Sequence, residues 1–175
     1  IFLIYDSSRD RWMPDLNVVL FQPEIPQNTG NIARTCGAVG AKLHLIKPLG
    51  FSVRDRHLKR AGLDYWHLIE VAYYESLEEF LQRNKDKNLN FITKKASQTY
   101  DQIDFSGEIF LIFGKETAGL PEAILKTNWD KCYRIPMKAD ARSLNLSNAV
   151  AIVVYEACKQ KGFATLQLDG SKEFE

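Results

Sequence analysis

Five polar side chains, Arg142, Ser143, Asn145, Ser147 and Asn148, fall within seven residues between the run CYRIPM and the apolar run AVAIVVY. Crowded polar groups at the mouth of a buried helix must be hydrogen-bonded. Two readings stand. Asn145 or Ser147 caps the helix and the rest are incidental, or the loop holds a ligand, since a single cap does not call for five polar residues. A second set is Asn28, Thr29, Gly30, Asn31 and Arg34 in the segment QNTGNIAR. Exposed N–H groups at a helix start together with an arginine suit a phosphate. The plainer reading is that Asn28 or Thr29 caps the helix and Arg34 is a solvated helix residue. A third set is FGKETAGLP, where Gly114 and Gly119 permit close backbone approach and Glu116 could orient an amine or an arginine. It lacks the GxxxxGK[ST] spacing of a phosphate loop. No GxGxxG follows the first strand, so a dinucleotide fold is disfavoured.

The elements that must position these loops alternate in type. LNVVLFQP is a β-rich run ending at a proline. IARTCGAV has helical spacing, with Gly40 as its expected stop. AKLHLIKP, IEVAYY, NLNFITKKA, GEIFLIFG and CYRIPM read as strands, the last including Ile135, Pro136 and Met137. GEIFLIFG is almost continuously apolar, as in a parallel strand covered on both faces. Ser76 with Glu79 forms a capping box before LEEFLQRN, and Pro121 opens PEAILKTN. The last helix is expected to be buried and to stop at Gly162. SVRDRHLKRAGLDYW reads as a polar helix or loop dense in Arg and Lys. Strand–helix alternation gives α/β architecture, a mainly parallel sheet flanked by helices. All three polar loops follow strands, and ligands of such sheets sit beyond the strand carboxyl ends.

Composition sets wide bounds. The chain has 175 residues, 45% hydrophobic and 26% charged, with a formal net charge of +1. That fits a single domain with a substantial core. It neither requires nor forbids a nucleic-acid partner, so any basic surface must be local. No apolar run approaches a membrane span. Cys36, Cys132 and Cys158 have no metal spacing and read as buried thiols of a reducing cytoplasm. His44, His57 and His67 form no ligand set, and His44 is expected to be structural. Residues 1–15, with Met13 just before the first strand, are expected to be an extension. Residues 16–163 form the domain and 164–175 a tail.

Taken together and in order, PxIPxNTGNIARTC, FGxExxGLP and IPMxxxxRSLNLSNAVAIVVYEA closely resemble the SPOUT superfamily of RNA 2′-O-methyltransferases, within it the TrmL (YibK-like) branch acting on the wobble nucleotide of tRNA. The match runs from about Leu16 to Phe163. The resemblance implies a deep trefoil knot near the C-terminus, a bent S-adenosylmethionine held by the knot loops, no metal, and a cytoplasmic homodimer with the site at the subunit interface. Position by position it implies that Ile92, Gly114, Ile135 and Ser143 contact the cofactor while Leu120, Met137 and Leu144 line its adenosine pocket. It implies that Arg34 serves the chemistry with Asn28, Glu116, Ser143 and Asn145 as polar company. Tyr155 would matter for activity or dimer packing. Lys115 and Ala141 depart from the common pattern without touching the expected chemistry.

The obstacle to such a reaction is the weak nucleophilicity of a ribose hydroxyl. An arginine side chain is so basic that it already carries its proton, so Arg34 is expected to stabilise the developing alkoxide or hold the adjacent phosphate, with proton removal by Arg34 itself, a phosphate oxygen or water left open. Arg54, Arg56, Lys59, Arg60, Lys94 and Lys95 are candidates to grip the tRNA anticodon loop, with Tyr65 or Trp66 available for stacking. Alternatives are a ribosomal RNA 2′-O-methyltransferase of the same superfamily and a non-catalytic RNA-binding module.

Overall fold

The computed structural model describes residues 15–52, 66, 69–164 and 166–170. Among the described residues, seven strands and four α-helices can be given bounds, in order: β1 Leu16–Phe21, α1 Pro26–Val39, β2 Lys42–Ile46, β3 Val71–Tyr74, α2 Leu77–Arg83, β4 Asn88–Ile92, β5 Gln98–Thr99, β6 Ile109–Phe113, α3 Glu122–Thr127, β7 Cys132–Arg134 and α4 Leu146–Gln160. The sheet order is β3-β2-β1-β6-β4-β7-β5, and every pairing is parallel. All strands therefore point one way. β1, β6, β4 and β7 are neighbours, so the loops leaving their carboxyl ends share one edge of the sheet.

Both faces are covered, as the apolar GEIFLIFG run implied. Leu16, Val18 and Leu20 of β1 and Leu111 of β6 pack with Ile32 and Cys36 of α1 and Val150, Val153, Val154 and Ala157 of α4. The alternating residues Val19 of β1 and Phe110 and Ile112 of β6 pack with Phe80 of α2 and Leu125 of α3. Burying each of these Val, Leu, Ile and Phe side chains stabilises the fold by about 1.5–3 kcal/mol. The three cysteines are buried thiols, and burial pushes Cys36 up to about 12.

Helix ends follow local chemistry closely. Gly40 takes the left-handed conformation, φ 73°, and donates to the Cys36 carbonyl. Gly162, φ 67°, and Phe163 close α4 by donating to the Lys159 and Cys158 carbonyls at 2.9 and 2.8 Å, the paired bonds of a Schellman ending. Ser76 accepts from the Glu79 N–H at 3.2 Å, and the Glu79 carboxylate accepts from the Glu75 N–H at 2.7 Å. Pro121 stands one residue earlier than expected, as the N-cap of α3.

Three further expectations are corrected. β7 ends at Arg134, so Ile135, Pro136 and Met137 begin the following loop, where Pro136 has no N–H to offer a sheet. α1 starts at Pro26 with Ile25 as N-cap. Asn28 and Thr29 therefore lie inside the first turns and cap nothing. α4 is buried on one face only, leaving Ile152 36% and Tyr155 47% exposed. Trp66 is partly buried against the α1–α4 core, where packing competes with any stacking role. Most of SVRDRHLKRAGLDYW, including Tyr65, lies outside the described residues.

His44 is structural, as expected. Asn17 Nδ2 donates to the Ile109 carbonyl at 3.1 Å, so its Oδ1 faces His44 Nε2 at 3.0 Å and must accept. His44 Nδ1 is then the acceptor for the Tyr74 hydroxyl, 3.1 Å away. Burial lowers this imidazole to about 4, so it is neutral at physiological pH.

Candidate active site

A cleft of about 440 Å³ opens at the carboxyl edge of β1, β6, β4 and β7. Its size falls within the roughly 300–1,000 Å³ of small-molecule sites. Ile92, Leu120, Ile135, Met137 and Leu144 supply apolar lining, while Asn28, Glu116, Ser143 and Asn145 supply polar groups. Gly114 lies at its base. A Cβ there would meet the Gly119 carbonyl carbon at 2.2 Å and the Leu120 nitrogen at 2.3 Å. These are backbone atoms that cannot yield, so only glycine lets the 114–120 loop fold back on itself. The Gly119 N–H closes that loop on the Lys115 carbonyl at 2.9 Å.

Glu116 is the hub. Its Oε2 accepts from the Glu24 N–H at 2.8 Å, and its Oε1 accepts from the Ile25 N–H at 3.2 Å and Asn28 Nδ2 at 3.0 Å. Asn28 Oδ1 accepts from Asn145 Nδ2 at 2.9 Å. Asn145 Oδ1 accepts from the Ser147 N–H at 2.9 Å and its hydroxyl at 2.7 Å, capping α4. One unbroken chain thus ties the loops after β1, β6 and β7. The first turn of α1 holds no acidic residue. Glu116 supplies its carboxylate there from the β6 loop, satisfying N–H groups at a helix start and opposing the helix dipole. With donors on both oxygens, Glu116 organises the cleft and is poorly placed to act as a base.

All seven residues expected to hold a cofactor line this cleft: Ile92, Gly114, Leu120, Ile135, Met137, Ser143 and Leu144. Of the residues expected to serve chemistry, Asn28, Glu116, Ser143 and Asn145 line it as well. Arg34 and Tyr155 do not. Arg34 is on the exposed face of α1 with Gln27 and Asn31, and Tyr155 is on the exposed face of α4 with Asn148 and Ile152. Lys94 and Lys95 are exposed at the cleft mouth, after β4. Arg54, Arg56, Lys59 and Arg60 lie outside the described residues. No group of His, Cys, Asp and Glu suited to a metal ion occurs among the described residues, and no described helix is long and apolar enough to cross a membrane.

Sequence reasoning missed Glu24 and Thr117. The Glu24 carboxylate accepts from the Thr117 N–H at 2.9 Å and from its hydroxyl at 2.8 and 3.0 Å. The Thr117 N–H, then its hydroxyl, hold the Glu24 carboxyl below the usual range. The partners are 93 residues apart, and neither carries a local signal.

A model of the SpoU rRNA methylase family matches residues 15–155. A tRNA (cytidine(34)-2′-O)-methyltransferase of Yersinia pestis is 46% identical over 154 residues, 85% of this chain and 95% of that protein. A Geobacillus stearothermophilus protein provisionally given the same name is 56% identical over 151 residues, 85% of this chain and 96% of its own length. A solved structure concerned with 2-OH methylation of C/U34 on tRNA superposes with a TM-score of 0.80 at 41% identity, covering 85% of this chain and 97% of that one. The Streptomyces viridochromogenes SpoU methyltransferase AviRb, crystallised with AdoMet, superposes at 0.76 with 27% identity, over 89% of this chain and 62% of AviRb. A family model spanning nearly the whole sheet and every loop of the cleft leaves one assignment: the chain belongs to the SpoU rRNA methylase family.

Proposed function

We propose that the protein is an S-adenosylmethionine-dependent 2′-O-methyltransferase acting on the ribose of nucleotide 34, the wobble position in the tRNA anticodon loop. The observation that carries this reading is the cleft itself, in which apolar walls and the Glu116–Asn28–Asn145 chain come together at one sheet edge. The high identity to tRNA methyltransferases along nearly their full length supports tRNA over ribosomal RNA as substrate. Such a substrate sets the work in the cytoplasm.

The residues present fit the cofactor. Ile92, Leu120, Ile135, Met137 and Leu144 would take its adenosine, and Gly114 and Ser143 its polar edges. When bound, S-adenosylmethionine supplies a methyl already activated on a sulfonium. The chain's remaining task is to position the ribose and stabilise charge developing on its oxygen. Arg34 serves there as a fixed cation, and Lys94 and Lys95 hold flanking phosphates. In this reading the segments that line the cleft form the trefoil knot expected of the family.

Two copies complete the site in this reading. Leu144 and Ile25 are exposed at the cleft, and beside the Arg34-bearing α1, α4 exposes the apolar face of Ile152 and Tyr155. Pairing through it makes a homodimer and brings Arg34 of one protomer toward its partner's cleft.

The test is methyl transfer from labelled S-adenosylmethionine to total tRNA, with product nucleosides mapped. A 2′-O-methylated nucleotide 34 is expected. Arg34→Ala should abolish transfer while S-adenosylhomocysteine still binds. Loss of that binding would remove Arg34 from the proposed role, and transfer only to ribosomal RNA would overturn the substrate.

A further inference from the structure

We propose that Glu24 is a positioning residue that sets the cofactor loop, residues 114–120, by clasping Thr117 from the start of α1. The inference rests on the cofactor reading of the cleft. Thr117 and Ile25 line the cleft, and Glu24 stands behind them. Its side chain and main chain are used in opposite directions. The carboxylate takes the Thr117 N–H and hydroxyl, while the Glu24 N–H donates to Glu116 at 2.8 Å. One residue just before α1 and two adjacent residues of one loop are thus joined reciprocally, as in a capping box closed across 93 residues.

An exposed carboxylate on a mobile backbone would contribute little. Here the backbone is fixed from a third side. Gly50 donates to the Pro23 carbonyl at 2.9 Å. A Cβ at Gly50 would stand 2.7 Å from the Glu24 Cα and 2.9 Å from its carbonyl oxygen, so the two main chains are in direct contact. The clasp is therefore pre-organised, and a loop held in its binding shape loses less freedom when a ligand arrives. The same contacts fix the register between the 114–120 loop and α1, which carries Asn28 and Arg34.

The experiment is a double-mutant cycle read by S-adenosylhomocysteine titration and thermal melting. The wild-type protein is titrated first. Failure to bind would overturn the cofactor reading, and this inference with it. Given wild-type binding, Glu24→Ala and Thr117→Val should each weaken affinity roughly tenfold, the scale of a lost hydrogen bond to a charged group. The double variant should be no weaker than either single one. Melting temperature should fall by a few degrees at most, and KM for tRNA should not move. Gly50→Ala, which removes no functional group and lies outside the cleft, should weaken binding likewise by displacing Glu24. Full affinity in Glu24→Ala, additive losses in the double variant, or a protein that no longer melts cooperatively would each overturn the assignment.

Discussion

Glu116 illustrates how much a side chain's partners decide. A carboxylate in a cleft invites a role as base, but three N–H groups already point at its two oxygens. Glu116→Gln keeps the shape and replaces one oxygen with an NH2 that must face an N–H. That substitution should cost about 1–3 kcal/mol, read as a lowered urea midpoint, with weaker S-adenosylhomocysteine binding. A variant of undiminished stability would mean that these bonds do not hold Glu116, and a role as base would stand. His44 offers a pH test of the same kind. Its folded-state value of about 4 lies below the ordinary 6.5, so the fold favours the neutral ring. Stability is therefore full above pH 6.5 and falls as pH drops toward 4, by about 3 kcal/mol in total. Urea midpoints at pH 7 and pH 5 should show this decline in the wild type. In His44→Gln, less stable at pH 7, the decline should be shallower. Equal slopes would separate the buried imidazole from the acid sensitivity.

At the scale of elements, what the sequence made legible was whatever is decided within a few residues. Gly40, Gly162, Asn145 and the Ser76–Glu79 pair end or begin helices through neighbours in the chain, and their chemistry was readable. The cap of α1 was not, because its carboxylate comes from Glu116, 91 residues from the Ile25 N–H it satisfies. Asn28 and Thr29 looked like caps for lack of that knowledge. β5, two residues long, carries no periodicity to detect. The cleft was legible in its loops, since polar clusters after strands mark a sheet edge. It was not legible in the cross-links that join them. Gly114 gives the test at this scale. Gly114→Ala drives a Cβ into the Gly119 backbone, so the 114–120 loop must open. S-adenosylhomocysteine binding should fall by at least tenfold with the sheet intact by far-UV circular dichroism. Retained binding would mean the loop has freedom the structure does not show.

At the scale of the molecule, the proposed site is incomplete within one chain: the cleft gathers the polar chain and the apolar walls, and Arg34 does not line it. α4 offers the reason, since a helix with Ile152 and Tyr155 exposed invites a second copy, and two-fold pairing places equivalent surfaces against each other. Ile152→Lys should shift the mass in light scattering toward that of a single chain and abolish transfer. Mixing inactive variants then asks where Arg34 acts. Arg34→Ala keeps a sound cleft, and Gly114→Ala keeps a sound arginine. If Arg34 serves its own chain's cleft, a mixed dimer has no working site. If it serves the partner's, each mixed dimer has one working site of two. Random re-association of equal amounts makes half the dimers mixed, so methyl transfer should return to about a quarter of wild type. Recovery near that level assigns Arg34 to the partner's cleft. No recovery, with mixed dimers demonstrated by mass spectrometry, would return it to its own chain and require α1 to move before the ribose can be reached.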